Sequence, residues 1–226
     1  MKLTLQLLLL LPAFFSANSP TLSAKSVKPA AKADNDEAGF VSIFDGKTLN
    51  GWEGKKKFFR VENGAIVAGF LNARIPNNEF LASKKEYGDF ELRFDAKMVG
   101  QGNNAGVQFR SQRIPNNHEM IGYQCDIGGW SKGAIWGFLY DESRRRKMLA
   151  EAPQDELKKH VHPKGEWNSL AVKAQGSHIQ IWLNSYQTVD FTESDANIPR
   201  EGRFGLQIHS GPPAECHYRK ILIKKL

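Results

Sequence analysis

Phe90-Glu91-Leu92-Arg93-Phe94-Asp95-Ala96-Lys97-Met98 alternates apolar and polar residues without a fault. A period of two puts alternate side chains on opposite faces of an extended strand, one buried and one wet. The same alternation recurs at Val107-Gln108-Phe109-Arg110, Leu170-Ala171-Val172-Lys173, Ile179-Gln180-Ile181-Trp182-Leu183 and Phe204-Gly205-Leu206-Gln207-Ile208-His209. Residues 218–226 close the chain in the same manner. Turn formers punctuate these runs at Asp45-Gly46, Asn63-Gly64, Pro76-Asn77-Asn78, Gly176-Ser177 and Asn184-Ser185. Helical periodicity is nearly absent; one short helix is expected at residues 154–159, with Pro153 at its start. Many short strands at near-regular spacing predict an all-β fold, a two-sheet antiparallel β-sandwich of jelly-roll type.

The N-terminus has the layout of an export signal: Lys2, an apolar run over residues 3–15 broken by Pro12, then small residues. The run is shorter than the about 20 apolar residues that span a bilayer. Residues 1–24 are therefore expected to be a signal peptide, residues 25–38 a flexible leader, and residues 39–226 a single domain. Export predicts a periplasmic or extracellular location, with no membrane span in the mature protein. The formal charge is +7, partly in clusters at 55–57, 144–147 and 224–225. Scattered solubilising charge accounts for this most simply; affinity for an anionic polymer is the alternative. No nucleic-acid docking motif is present. Cys125 and Cys216 each lie in an apparent strand, where Cys serves as a small buried apolar group; whether they pair is left open.

Gln108 and Arg110, Gln124 and Asp126, and Gln207 and His209 are each two residues apart, so each pair is expected to share a strand face. If the three strands are neighbours, these six groups form one polar patch, which Trp182 could floor. Amides, carboxylates and guanidinium forks suit sugar hydroxyls. Trp130, Trp136, Tyr123 and Tyr140 could stack on sugar C–H faces. Taken singly, each of these residues is ordinary strand surface; the threefold repeat is what singles out the patch. His209 suits proton transfer at neutral pH. The run Tyr140-Asp141-Glu142-Ser143-Arg144-Arg145 reads equally as a self-paired surface loop or as a lid framing a pocket with Tyr140, Glu142 and Arg145. No metal-ligand spacing is visible, and no cofactor is expected. A structural calcium ion at a sandwich rim is left open, as is the oligomeric state.

Several blocks carry a family resemblance: Phe40-Val-Ser-Ile-Phe-Asp-Gly-Lys-Thr-Leu-Asn-Gly-Trp52, Glu86-Tyr-Gly-Asp-Phe-Glu-Leu-Arg93, Asn104-Ala-Gly-Val-Gln-Phe-Arg110, Gly122-Tyr-Gln-Cys-Asp126, Gly165-Glu-Trp-Asn168 and Gly202-Arg-Phe-Gly-Leu-Gln-Ile-His209. In this order they resemble the 3-keto-disaccharide hydrolase domain family, also described as 3-keto-glucoside 1,2-lyases and 3-keto-2-hydroxy-glucal hydratases. The resemblance implies a concanavalin A-like lectin/glucanase jelly roll. It also implies an exported domain that cleaves 3-keto-glycosides by elimination across C1–C2 and hydration, or by net hydrolysis. The catalytic candidates are His209 and Asp126. The substrate-binding candidates are Arg110, Gln108, Gln124, Tyr140, Glu142, Arg145, Trp136, Trp182 and Gln207. Many family members carry a Glu where this chain reads Gly-Tyr-Gln-Cys-Asp, which puts the carboxylate role on Asp126 or points to a different substrate. A non-catalytic carbohydrate-binding module on the same fold is the alternative.

Overall fold

The computed structural model describes residues 38–226. The expected signal peptide, and all of the expected leader but its last residue, lie outside the described residues. In chain order the strands are β1 (Val41–Ser42), β2 (Trp52–Glu53), β3 (Phe59–Glu62), β4 (Ala65–Phe70), β5 (Glu79–Ser83), β6 (Phe90–Gly100), β7 (Asn104–Arg113) and β8 (Met120–Trp130). They continue as β9 (Gly133–Ala134), β10 (Leu139–Glu142), β11 (Lys147–Ala150), β12 (Asn168–Gln175), β13 (His178–Leu183), β14 (Tyr186–Thr192), β15 (Arg203–Ile208) and β16 (Ala214–Lys225). A helix, α1 (Gln154–His160), sits where Pro153 predicted one.

The strands form two eight-stranded antiparallel sheets, the sandwich that the alternation predicted. Sheet A runs β14-β13-β12-β6-β16-β4-β3, with β1 on β16. Sheet B runs β11-β10-β8-β7-β15-β5-β2, with β9 on β8. Phe90, Leu92, Phe94, Ala96 and Met98 of β6 face Val107 and Phe109 of β7, Cys125 and Ile127 of β8, and Leu206 and Ile208 of β15 in one core. The period of two therefore did what elementary strand geometry demands. Both cysteines are buried in this core as free thiols, and burial raises the pKa of each. No helix among the described residues is long and apolar enough to cross a membrane.

Tyr218, on β16, crosses this core. Its hydroxyl donates to the Gln207 carbonyl at 2.6 Å and lies 3.2 Å from the Gly106 carbonyl. Gln207 and Gly106 are register partners of β15 and β7, so a side chain of sheet A ties the centre of sheet B from behind.

Candidate active site

The outer face of sheet B holds the polar repeat. Strands β8, β7 and β15 are neighbours, and Gln108 pairs with Gln124, Asp126 with Gly106, and Gly106 with Gln207. On the far side of β8, Tyr140 pairs with Gln124 and Glu142 with Gly122. These groups are buried although they point away from the inter-sheet core: Gln108 and Gln207 are 0 % exposed, Asp126 1 % and Gln124 2 %. A wet strand face would leave them in water.

Glycine makes the arrangement possible. A Cβ on Gly106 would lie 2.5 Å from the Gln124 side-chain amide carbon. Without it, Gln124 folds across β7 and donates from Nε2 to Asp126 Oδ1 at 2.8 Å and to Gln207 Oε1 at 3.3 Å. Beside this polar floor, Phe80, Ala82 and Met120 form a small separate apolar cluster. Gly205 leaves room for Met120, whose sulfur would lie 2.7 Å from a Cβ there. The floor thus has a hydrogen-bonding half and an apolar half.

The polar half is not saturated. Gln108 Oε1, Gln124 Oε1 and Asp126 Oδ2 are buried with no hydrogen-bond partner. Gln207 Nε2 meets none in good geometry, although Glu142 is its neighbour. Each such group costs about 1–3 kcal/mol if nothing ever meets it. Burial pushes the Asp126 carboxyl well above the ordinary carboxylate range; Gln124 opposes the shift and the Glu142 charge adds to it. Glu142 is also raised, by burial first and then by the charge of Glu119. Two carboxyl groups on one face are therefore biased toward their protonated forms.

The rim carries two residues that the sequence reading passed over. Asn78, read there only as a turn residue, donates to Glu119 at 3.1 Å and accepts from the Ser210 amide at 2.9 Å. It joins Glu119 to the turn after His209. The same-face series of β8, continued backwards past Met120, would have pointed to that end of the strand. His209 lies at the end of β15, its amide donating to the Asn104 carbonyl. Its Nδ1 is 2.7 Å from the Ser210 carbonyl. A carbonyl only accepts, so Nδ1 carries a hydrogen, and in the neutral ring the lone pair is on Nε2. His209 lines a cavity of about 190 Å³ with Asn103, Asn104 and Gly129.

Three expectations of placement are corrected. Arg110 does not share the face of Gln108. A bulge between Phe109 and Gln112, with Arg110 at φ 49°, breaks the alternation. The guanidinium instead donates to the carbonyls of Gly88 and Gly176 and to Asp89, binding sheet B to loops that lead into sheet A. Trp182 lies on β13 of sheet A and does not floor the patch. Trp136 packs in the inter-sheet core and also lines a cavity at the end of the sandwich. Arg145 pairs with Asp141 and with Glu193, the latter at 2.6 Å. The loop that was read two ways divides between them: Arg144 and Arg145 are self-paired with Asp141, whereas Tyr140 and Glu142 flank the floor. Among the described residues, no cluster of His, Cys, Asp and Glu could hold a metal ion.

The family model described as the 3-keto-alpha-glucoside-1,2-lyase-like domain matches residues 39–224. A Bacteroides thetaiotaomicron protein named 3-keto-disaccharide hydrolase is 31% identical over 112 residues, a match spanning 44% of this chain and 38% of that relative. A Parabacteroides distasonis crystal structure, provisionally described as a glycosyl hydrolase, superposes with a TM-score of 0.64 at 21% identity, covering 87% of this chain and 98% of that one. A carbohydrate-binding module of Bacillus subtilis superposes with a TM-score of 0.54 at 17% identity, covering 77% and 96%. At these identities the two structures establish likeness of fold alone.

Proposed function

The chain belongs to the 3-keto-alpha-glucoside-1,2-lyase-like domain family, and from that premise we propose that it is an exported enzyme cleaving 3-keto-glycosides by elimination and hydration. A keto group at C3 acidifies the hydrogen on C2. His209 Nε2 takes that proton. The C3 oxygen, gaining charge as the enolate forms, accepts hydrogen bonds from the protonated Asp126 and from Gln207 Nε2, the floor's amide nitrogen without a partner of its own. Glu142, held toward its acid form, gives its proton to the glycosidic oxygen as the C1–O bond breaks. The C2–H and C1–O bonds are lost and a C1=C2 bond forms. Water then adds hydroxyl to C1 and hydrogen to C2, so the net reaction is hydrolysis.

The observation that carries this reading is the buried floor whose Asp126, Gln124 and Gln108 oxygens have no partner. An amide-and-acid surface with free valences, beside an apolar strip, suits a polyhydroxylated ring with one polar and one apolar side. The test is turnover of the purified chain on a 3-keto-glucoside and on the unoxidised parent. Aglycone release from the keto form alone supports the proposal. No release from either, with measurable sugar binding, overturns it in favour of a carbohydrate-binding module.

A further inference from the structure

Next to the floor, at the end of the sandwich, a second cavity of about 420 Å³ opens between the β8–β9 turn and the segment that follows α1. It shares Asn103 and Gly129 with the cavity that His209 lines. Gly128, also in its wall, lies two residues beyond Asp126 on β8. Trp130 lines this cavity. It is 43% exposed and meets Tyr140 edge-on at 5.7 Å. Trp130 thereby links the cavity to Tyr140, which pairs with Gln124 of the floor.

The wall is kept low by glycine. A Cβ on Gly129 would stand 2.8 Å from the Gly133 carbonyl, and one on Gly133 would stand 2.3 Å from Gln154 Oε1. Gln154 in turn donates to the Ala134 carbonyl at 2.7 Å, anchoring α1 to this turn. The opposite wall is basic. Lys158, His162 and Lys164 line it, and no carboxylate does. Lys164 Nζ donates one hydrogen to the Gly102 carbonyl at 3.1 Å and keeps two for another partner. Lys158 has only a loose 3.8 Å approach to Asp155.

We infer that this cavity is the subsite for the leaving group, and that it takes a ring bearing an anionic substituent such as a carboxylate. The inference rests on the proposed elimination, in which the group on C1 must lie beyond the floor. Trp130 supplies an aromatic face for the ring. Lys158 and Lys164 supply positive charge for the substituent.

The experiment compares two 3-keto-glucosides that differ only in aglycone, 4-nitrophenol or 4-hydroxybenzoate, with kcat and KM measured at low and at 0.5 M salt. The wild-type chain is expected to favour the carboxylated substrate by about tenfold in kcat/KM after correction for leaving-group basicity, mainly through KM, and less so in salt. In the double variant Lys158→Gln/Lys164→Gln the ratio is expected to fall to about one. Both lysines are exposed, so the fold should survive and a thermal melt verifies it. Parity of the two substrates in the wild type, or a preference that persists in the double variant, overturns the subsite. If neither substrate releases its aglycone, the elimination reading fails by itself. The subsite is then judged by equilibrium binding of the unoxidised 4-carboxyphenyl and phenyl glucosides, followed by tryptophan fluorescence. A salt-sensitive preference for the carboxylated glucoside that is lost in the double variant upholds it, and equal binding overturns it.

Discussion

Asp141 and Glu142 are consecutive residues on β10, yet they live in opposite chemical settings. Asp141 is fully buried on the core side, where Arg144 and Arg145 meet it and Arg145 goes on to Glu193. Tyr123 donates to Glu193 at 2.7 Å and closes the cluster. Glu142 sits on the outer face beside Gln207, with Glu119 near and Asp126 within reach of its charge. On the core side every carboxylate has a cation. On the outer face Asp126 is buried and Glu142 half-buried, each with weak compensation. Glu193 is held down to about 2, with burial opposing and the bonds from Arg145 and Tyr123 prevailing, while Glu142 is pushed up. The same residue type is a strut on one side and a poised acid on the other. Polar groups that the fold satisfies hold it together, and those it leaves unsatisfied mark the candidate site.

The sharpest way to break this comparison is to replace the poised acids. Asp126→Asn and Glu142→Gln are each expected to lower turnover about 10²–10⁴-fold while leaving the melting temperature close to wild type. Aglycone release and a thermal melt check both halves; a large loss of stability with activity retained would make these groups struts as well. Asp141→Asn is the converse. It leaves two arginines beside a neutral amide and should cost about 3–5 kcal/mol, lowering the melting temperature by about 10 °C or more with kcat of the folded fraction unchanged.

Gly106→Ala tests the floor without touching a charge. The added methyl must displace Gln124, at an expected cost of about 1–3 kcal/mol, and should raise KM as the amide leaves Asp126.

pH separates the two settings further. Glu193, depressed in the folded state, contributes stability that is fully present above about pH 4.5 and is lost as pH falls toward about 2. Melting scans across that window should show the decline, and Glu193→Gln should flatten it. In the proposed elimination Glu142 serves as the acid, so activity should fall as pH rises through its raised pKa, and Glu142→Gln should remove that limb of the kcat/KM profile. The smallest expected effect is that of Trp182→Ala. It alters the outer face of sheet A and should leave KM within about twofold of wild type, since surface changes away from a site move binding little.

Much of this was legible in the chain. Perfect alternation over β6 allowed only a sandwich strand, and Gln108, Gln124, Asp126 and Gln207 fell on one face because extended backbone has a period of two. Arg110 defeated the same rule. A bulge inserts a residue and reverses every side chain after it, and nothing in Val107-Gln108-Phe109-Arg110 announces one. Asn78 and Glu119 were missed because they lie more than 80 residues from Gln207 in the chain or beyond the pattern of β8, and only pairing brings them to the same rim.

By itself, the sequence determined the fold class, the inward and outward residues of most strands, the helix after Pro153 and the neighbourhood of Gln108, Gln124, Asp126 and Gln207. These follow from local geometry and burial, which each short segment carries within itself. Only the tertiary structure decided that these polar groups are buried without enough partners, that Gly106 lets Gln124 reach Asp126, that Trp182 belongs to the other sheet, and that of two adjacent carboxylates one is neutralised and one is not. Those properties depend on which distant segments meet, and strand order and register set that through packing across the whole sandwich.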